Sequence, residues 1–251
     1  MREDATVSVI SEWVICYLSN YIYVNQGNPL IVSSLNFGTE ILLLWMDYPF
    51  DTAGLCSDDI DRFDAVYKAL RAKFNIQFTG HINFHLEDFG LFKSYQDITV
   101  RDSYVIKHMG NDCYILFVEL HEQRVPVKGR MYDYYEYHVF ALAYLKKDFG
   151  RVMIRPETLK DKLLELIHPI ELDFDEDKAF SDTFYVLVSD HQKAVSAIDR
   201  NFRNATMDMR HEDFVIEVVN HALIIGNDKL AAPEKSVYLA EFVSRVCSMA
   251  E

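Results

Sequence analysis

The sequence predicts an α+β fold in which mixed or antiparallel sheets are flanked by helices. Three observations support this prediction. Residues 75–144 have the pattern of consecutive strands joined by short turns, which favours antiparallel pairing. Residues 150–251 alternate between helical and strand patterns, which is typical of a compact α+β unit. Half of the 251 residues are apolar, which is enough to form a substantial core.

The first 74 residues predict a helix, a hairpin and a second helix. Apolar residues recur at helical spacing from Asp4 to Tyr23. Two β-rich runs, 30–34 and 40–46, follow on either side of a segment that contains Asn and Gly, as a hairpin turn does. Ser57 precedes three aspartates, and a capping side chain followed by acids is typical of a helix start. The second helix is therefore predicted from Ser57 to about Phe74.

The rest of the chain divides near residue 149. Strands are predicted before that point at 76–86, 98–109, 113–121 and 134–145. After it, strands are predicted at 152–154, 170–174, 183–189, 214–219 and 222–225, with helices at 156–167, 191–202 and 233–249. We expect Asp190 to cap the helix at 191–202. The prediction is a mixed α+β region over 1–149 and a C-terminal α+β unit over 150–251.

Charge and composition exclude several classes of partner. Lys and Arg total 25 against 39 Asp and Glu, a formal net charge of -14, which repels nucleic-acid phosphate and anionic membrane surfaces. The four cysteines lie far apart, as reduced thiols in a cytoplasmic protein do. The N-terminal apolar run is interrupted by polar residues, so neither a signal peptide nor a membrane span is expected. We expect no nucleic-acid partner and no cofactor, because phosphate-cradling and dinucleotide motifs are missing from the sequence.

One segment carries residue types that suit metal or acid–base chemistry. If 76–86 is a strand, alternation places His81, His85 and Glu87 on its polar face, where they have the chemistry of a zinc site or of a general base with its orienting acid. A solvated strand face explains the same alternation without any chemistry. These three residues are the catalytic candidates, and the two histidines are the candidate metal ligands.

A second candidate is a cluster of tyrosines. Tyr134, Tyr135 and Tyr137 stand close together in the strand predicted over 134–145, and Tyr132 comes just before it. Aromatic residues are enriched at the centres of protein interfaces, so the cluster is a candidate interaction surface. Packing on a sheet face is the alternative interpretation.

Five residues in the C-terminal third follow the pattern F-x-x-x-F-x-V-x-x-x-D-x-x-x-A, and they are Phe180, Phe184, Val186, Asp190 and Ala194. With this pattern, residues 152–225 resemble the C-terminal part of an uncharacterised bacterial family of unknown function. Members of that family typically begin with apolar, membrane-directed segments, and the sequence pattern of this chain does not lead us to expect one. The resemblance implies a strand, a capped helix and their packing, and it implies no catalytic residue.

The function that these observations favour is recognition of another protein with a basic or mixed surface, as an adaptor, inhibitor, chaperone or immunity-type partner. A metal-dependent or hydrolytic enzyme that uses His81, His85 and Glu87 is the alternative. A structural subunit of a larger assembly is a third possibility.

Overall fold

The computed structural model describes residues 48–80, 82–107, 111–125, 129–156, 170–227 and 229–249, together with the backbone of 16–18, 21–23 and 29–30. The chain divides into two compact units, Met1–Asp64 and Ala65–Glu251. Within the described residues, no helix has both the length and the apolar character needed to cross a membrane.

The first unit contains a small antiparallel sheet in the order β1 (Cys16–Leu18), β2 (Tyr21–Tyr23) and β3 (Pro29–Leu30). The helix predicted from Asp4 to Tyr23 is therefore wrong over β1 and β2. Four of the six residues in these two strands are Tyr or Ile, which favour strands. Residues 4–15 and the strands predicted at 31–34 and 40–46 lie outside the described residues.

The second unit contains one antiparallel sheet of nine strands. They are β4 (Ile76–Phe78), β5 (Asp97–Ile106), β6 (Cys113–Arg124), β7 (Tyr132–Tyr144), β8 (Arg151–Pro156), β9 (Ile170–Glu171), β10 (Phe184–Val188), β11 (Val215–Val219) and β12 (Ala222–Gly226). Their spatial order is β4-β5-β6-β7-β12-β11-β8-β10-β9. The α+β class and the antiparallel pairing are confirmed. The domain boundary predicted near residue 149 lies between strands of this one sheet.

The described helices are α1 (Ser57–Lys73), α2 (Lys178–Ser181), α3 (His191–Ala197), α4 (Arg200–Met207) and α5 (Pro233–Ser248). Helices α1, α3 and α5 begin at the predicted residues, whereas α2 and a separate α4 were not predicted from the sequence. The single helix predicted over 191–202 is wrong, because the chain leaves the helical conformation at Ile198, and Asp199 caps a new helix by accepting a hydrogen bond from the Phe202 amide at 3.0 Å. Pro156 ends β8, and the rest of the helix predicted over 156–167 lies outside the described residues.

The two faces of the large sheet are covered by different elements. Helix α5 packs against β6 and β7, and Cys113 at the start of β6 contacts Ser244 of α5, with 3.8 Å between the sulfur and the hydroxyl oxygen. The opposite face of these strands is covered by residues 84–92, which contribute four buried side chains to one apolar cluster with β6, β7 and β12. The four are Phe84, Leu86, Phe89 and Phe92.

The strand predicted over 76–86 is therefore wrong beyond Phe78. Gly80 and His85 both have positive φ, and two 3₁₀ turns follow at Leu86–Asp88 and Gly90–Phe92. Burial follows this irregular path and not a strand alternation, because the side chain of Ile82 is 40% exposed whereas Phe84 and Leu86 are buried.

A buried carboxylate holds this covering segment on the sheet. Glu217 of β11 is fully buried and accepts hydrogen bonds from the backbone N–H groups of Gly90 at 2.8 Å and Leu91 at 3.0 Å. Arg151 of β8 donates to the same carboxylate at 3.1 Å and to the Asp88 carbonyl at 2.9 Å. Burial raises the pKa of the Glu217 carboxyl, although these three donors oppose the shift. The interaction explains why one turn begins at Gly90.

We expect Asp190→Ala to lower the free energy of unfolding by about 0.5–2 kcal/mol. The Asp190 side chain accepts a hydrogen bond from the Lys193 amide at 3.1 Å, and alanine leaves that amide without its cap. Urea unfolding measures the change, with the exposed turn residue Asp175 changed to alanine as the control. Equal stability of the two variants would contradict the capping role.

We expect Glu217→Ala to cost roughly 3–5 kcal/mol of unfolding free energy, because it leaves the Gly90 and Leu91 amides without their acceptor and removes the carboxylate partner of Arg151. Glu217→Gln retains one acceptor oxygen, so its cost should be smaller. The control is Glu87→Ala, since that side chain is 64% exposed. Equal unfolding free energies in urea for Glu217→Ala, Glu217→Gln and Glu87→Ala would show that Glu217 does not anchor the segment.

Candidate interaction surface

Three strands extend beyond the rest of the sheet. β6 and β7 pair over their whole length, from Cys113↔Ala143 to Arg124↔Tyr132, but β12 pairs only with residues 141–144 of β7. On the other side, β5 pairs with β6 as far as Asp97↔His121, whereas β4 reaches only residues 104–106 of β5. We call residues 97–100, 118–124 and 132–138 the arm. It carries all four tyrosines predicted as an interaction surface.

The structure exposes two of these tyrosines and partly buries the others. Tyr132 and Tyr135 are each 48% exposed. Tyr134 is half-buried beneath Arg124, whose guanidinium carbon lies 3.3 Å from the ring centroid. Tyr137 is half-buried, with the guanidinium carbon of Arg101 at 6.0 Å from its ring centroid. The sheet-packing interpretation therefore describes Tyr134 and Tyr137 better than Tyr132 and Tyr135.

Two further apolar residues enlarge the exposed surface at the end of the arm. Val125 follows β6 and is 68% exposed, and Met131 precedes β7 and is 58% exposed. Together with Tyr132 and Tyr135, they make four exposed apolar or aromatic side chains at the end of the β6–β7 hairpin. Sequence patterns did not identify Val125 or Met131, because nothing local to either residue predicts that the strands continue past their neighbours. Clustered exposed apolar side chains are typical of protein interaction sites.

A histidine clamped by two carboxylates crosses the arm. The Nδ1 atom of His121 lies 3.0 Å from Asp97 of β5, and its Nε2 atom lies 3.0 Å from Asp133 of β7. The ring stacks on Tyr135 with 4.6 Å between ring centroids and 15° between planes. A ring that donates from both nitrogens is an imidazolium. The hydrogen bonds to Asp97 and Asp133 raise the pKa of His121, and the bond from His121 lowers the pKa of Asp133.

The other face of the arm carries an ion-pair network. Arg124 pairs with Glu122 on its own strand and with Glu136 of β7, the latter at 3.2 Å. Glu136 in turn lies 3.3 Å from Nε2 of the buried His138. Arg101 pairs with Glu119 on the face that carries His121. Asp97 and Asp133 are 75% and 56% exposed, and among the described residues both pair with His121.

The predicted histidine site has a different geometry from the one that its strand prediction implied. His85 and Glu87 lie in the covering segment, with 3.4 Å between Nδ1 and Oε1 and with both side chains about two-thirds exposed. His81 lies outside the described residues. In the part of the chain that the structure describes, no group of three His, Cys, Asp or Glu side chains is arranged to hold a metal ion. A site that includes His81 stays a prediction.

Comparisons with known proteins leave the family of this chain open. No family model matches the sequence, and no curated protein matches it. Among solved structures, the fold is similar to that of the mycobacterial trehalose monomycolate transport factor A, TtfA, at 10% sequence identity and a TM-score of 0.48, over 76% of this chain and 93% of that one. A likeness this remote carries nothing about function. The resemblance of residues 152–225 to an uncharacterised family stays a prediction.

We expect His121 to titrate above its ordinary pKa of 6.5. Because the folded-state pKa is raised, the two hydrogen bonds contribute stability that is fully present below pH 6.5 and is lost as the pH rises through the raised value. The pKa of Asp133 is lowered from 3.8. Its contribution to folding stability is therefore present above pH 3.8 and is lost as the pH falls through the lowered pKa. The cluster therefore stabilises the arm most between these limits.

NMR titration of the histidine ring protons measures this pKa. Asp97→Asn and Asp133→Asn should each lower it, and Asp175→Asn, which removes an exposed charge elsewhere, should change it little. A His121 pKa at or below 6.5, or one that all three variants shift equally, would contradict the clamp.

Proposed function

We propose that the chain is a protein-recognition module that binds a partner with a basic or mixed surface through the arm. The observation that carries this proposal is the exposure of Tyr132 and Tyr135 beside Val125 and Met131 on strands that extend past the sheet. Tyrosine suits an anchoring role, because it buries a large ring at low entropic cost and keeps a polar hydroxyl.

The acidic charge of the arm and of the whole chain indicates that the proposed partner is basic where it binds. The exposed carboxylates of Asp97 and Asp133 lie beside the exposed rings, and the whole chain has a formal net charge of -14. A partner with basic groups gains complementary contacts and a faster encounter, whereas an acidic partner is repelled. Binding should therefore weaken as salt is added.

Tyrosine side chains of the arm are also ordered by their neighbours in the unbound chain. The rings of Tyr134 and Tyr135 are held by Arg124 and His121 before any partner arrives. Side chains that are already ordered lose less entropy on binding, so more of the contact energy appears as affinity.

Affinity capture with the purified chain as bait tests the proposal. We expect a specific co-purifying protein that is lost from the double variant Tyr132→Ala, Tyr135→Ala. The matched control is Tyr238→Ala on α5, a tyrosine of similar exposure at 45%. With the captured protein purified, the double variant should bind at least about ten-fold more weakly than the control. Equal binding by the double variant and the control would overturn recognition through the arm.

A further inference from the structure

Within the described residues, the outer edge of β7 has no partner strand at the end of the arm. The Tyr137 carbonyl accepts a hydrogen bond from the Ala231 amide at 3.3 Å, and the Leu145 amide donates to the His221 carbonyl at 2.6 Å, so odd-numbered residues of this stretch direct their backbone groups away from β6. By the alternation of an antiparallel ladder, Asp133 and Tyr135 do the same. Among the described residues, no strand pairs with β7 at these two positions.

In the part of the chain that the structure describes, this edge has neither a covering strand at Asp133 and Tyr135 nor a lysine or proline that would hinder a basic strand. Natural edge strands are short, or they carry lysine or proline, since either feature hinders pairing with another chain. The terminal strands of the sheet follow the first rule, because β4 has three residues and β9 has two. Residues 132–137 of β7 read Tyr-Asp-Tyr-Tyr-Glu-Tyr, with neither lysine nor proline. The acids at this edge would attract a basic strand.

Charge also decides between two occupants of the edge. A second copy of the chain would bring another acidic β7 edge against this one, and both copies carry a net charge of -14. Like charges across strands are destabilising. A basic segment of another protein meets opposite charge at the same positions. Its residues on the side of Asp133 and Tyr135 would face a carboxylate and a ring, both of which favour a cation.

We propose that β7 takes up an extended basic segment of its partner as an added strand, hydrogen-bonded to the backbone of Asp133 and Tyr135. This inference rests on the proposed function and specifies how the arm binds. Main-chain hydrogen bonds supply affinity in strand addition, and alternate side chains supply specificity. Lysine or arginine at alternate positions of the segment lies on the same sheet face as the side chains of Asp133 and Tyr135. The residues between them lie on the face that carries Tyr132 and Tyr134.

The test uses a fluorescent peptide of alternating lysine and valine, with binding measured by anisotropy. Tyr135→Pro removes the ring and the outward N–H, whereas Tyr135→Ala removes the ring alone. An outward-facing edge position tolerates proline, because no ladder hydrogen bond is lost there. We expect the proline variant to bind about five- to ten-fold more weakly than the alanine variant, as the loss of one backbone hydrogen bond predicts. Equal affinities of the two variants, or no binding by the native chain, would overturn the inference.

A second measurement leaves the protein unchanged. Two versions of the peptide are methylated on alternate backbone nitrogens. One carries the methyl groups on the backbone nitrogens of its lysines, and the other carries them on the backbone nitrogens of its valines. An added strand directs only one of these sets at β7, so we expect one version to lose binding and the other to retain it. Equal binding of the two versions would overturn strand addition.

The remaining outcomes separate this inference from the proposed function. If the Tyr132→Ala, Tyr135→Ala variant loses its captured partner while Tyr135→Pro and Tyr135→Ala bind that partner equally, recognition through the arm stands and strand addition falls. If the native chain sediments as a dimer that Tyr135→Pro dissociates and Tyr135→Ala does not, a second copy is the occupant and the proposed basic segment is wrong.

Discussion

The unequal lengths of neighbouring strands are the constraint on which the other features of this surface depend. β6 and β7 pair for twelve consecutive residues, but β12 accompanies β7 for only four. Beyond that point, among the described strands, β5 continues beside β6 and no strand lies on the outer side of β7. In the described part of the chain, the same mismatch leaves Tyr132 and Tyr135 exposed and the outer edge of β7 without a partner strand, whereas the register of the three strands places Asp97 and Asp133 on either side of His121. A longer β12 would have covered that edge.

The covering segment has a separate role. Glu217 ties the backbone of Gly90 and Leu91 to the sheet, and the aromatic side chains around them seal one face of the core. The arm has no such cover at its end, where Val125 and Met131 are exposed. Residues that the sequence marked for chemistry, His85 and Glu87, lie on the exposed side of the covering segment. In the described part of the chain, the core of the sheet is therefore covered, whereas the end of the arm is exposed.

Local signals in the sequence were sufficient for much of the fold. Asp190 predicts its helix start because a cap acts within four residues, and the Asn220–His221 turn predicts its hairpin for the same reason. Tertiary contacts decided the rest. The path near His85 depends on a carboxylate more than a hundred residues away in Glu217, and the clamp on His121 depends on the register of three strands. The tyrosine cluster was visible in the sequence, but the positions that are exposed follow from strand lengths.

Residue-resolved hydrogen–deuterium exchange of the free chain tests the open edge most directly. The amides of Tyr134 and Glu136 face β6 and should exchange slowly, whereas those of Asp133 and Tyr135 should exchange fast, since no strand among the described residues pairs with them. A saturating amount of the lysine–valine peptide should then slow Asp133 and Tyr135 specifically. Equal protection of all four amides in the free chain would contradict an open edge, and with it the surface on which the proposed recognition depends.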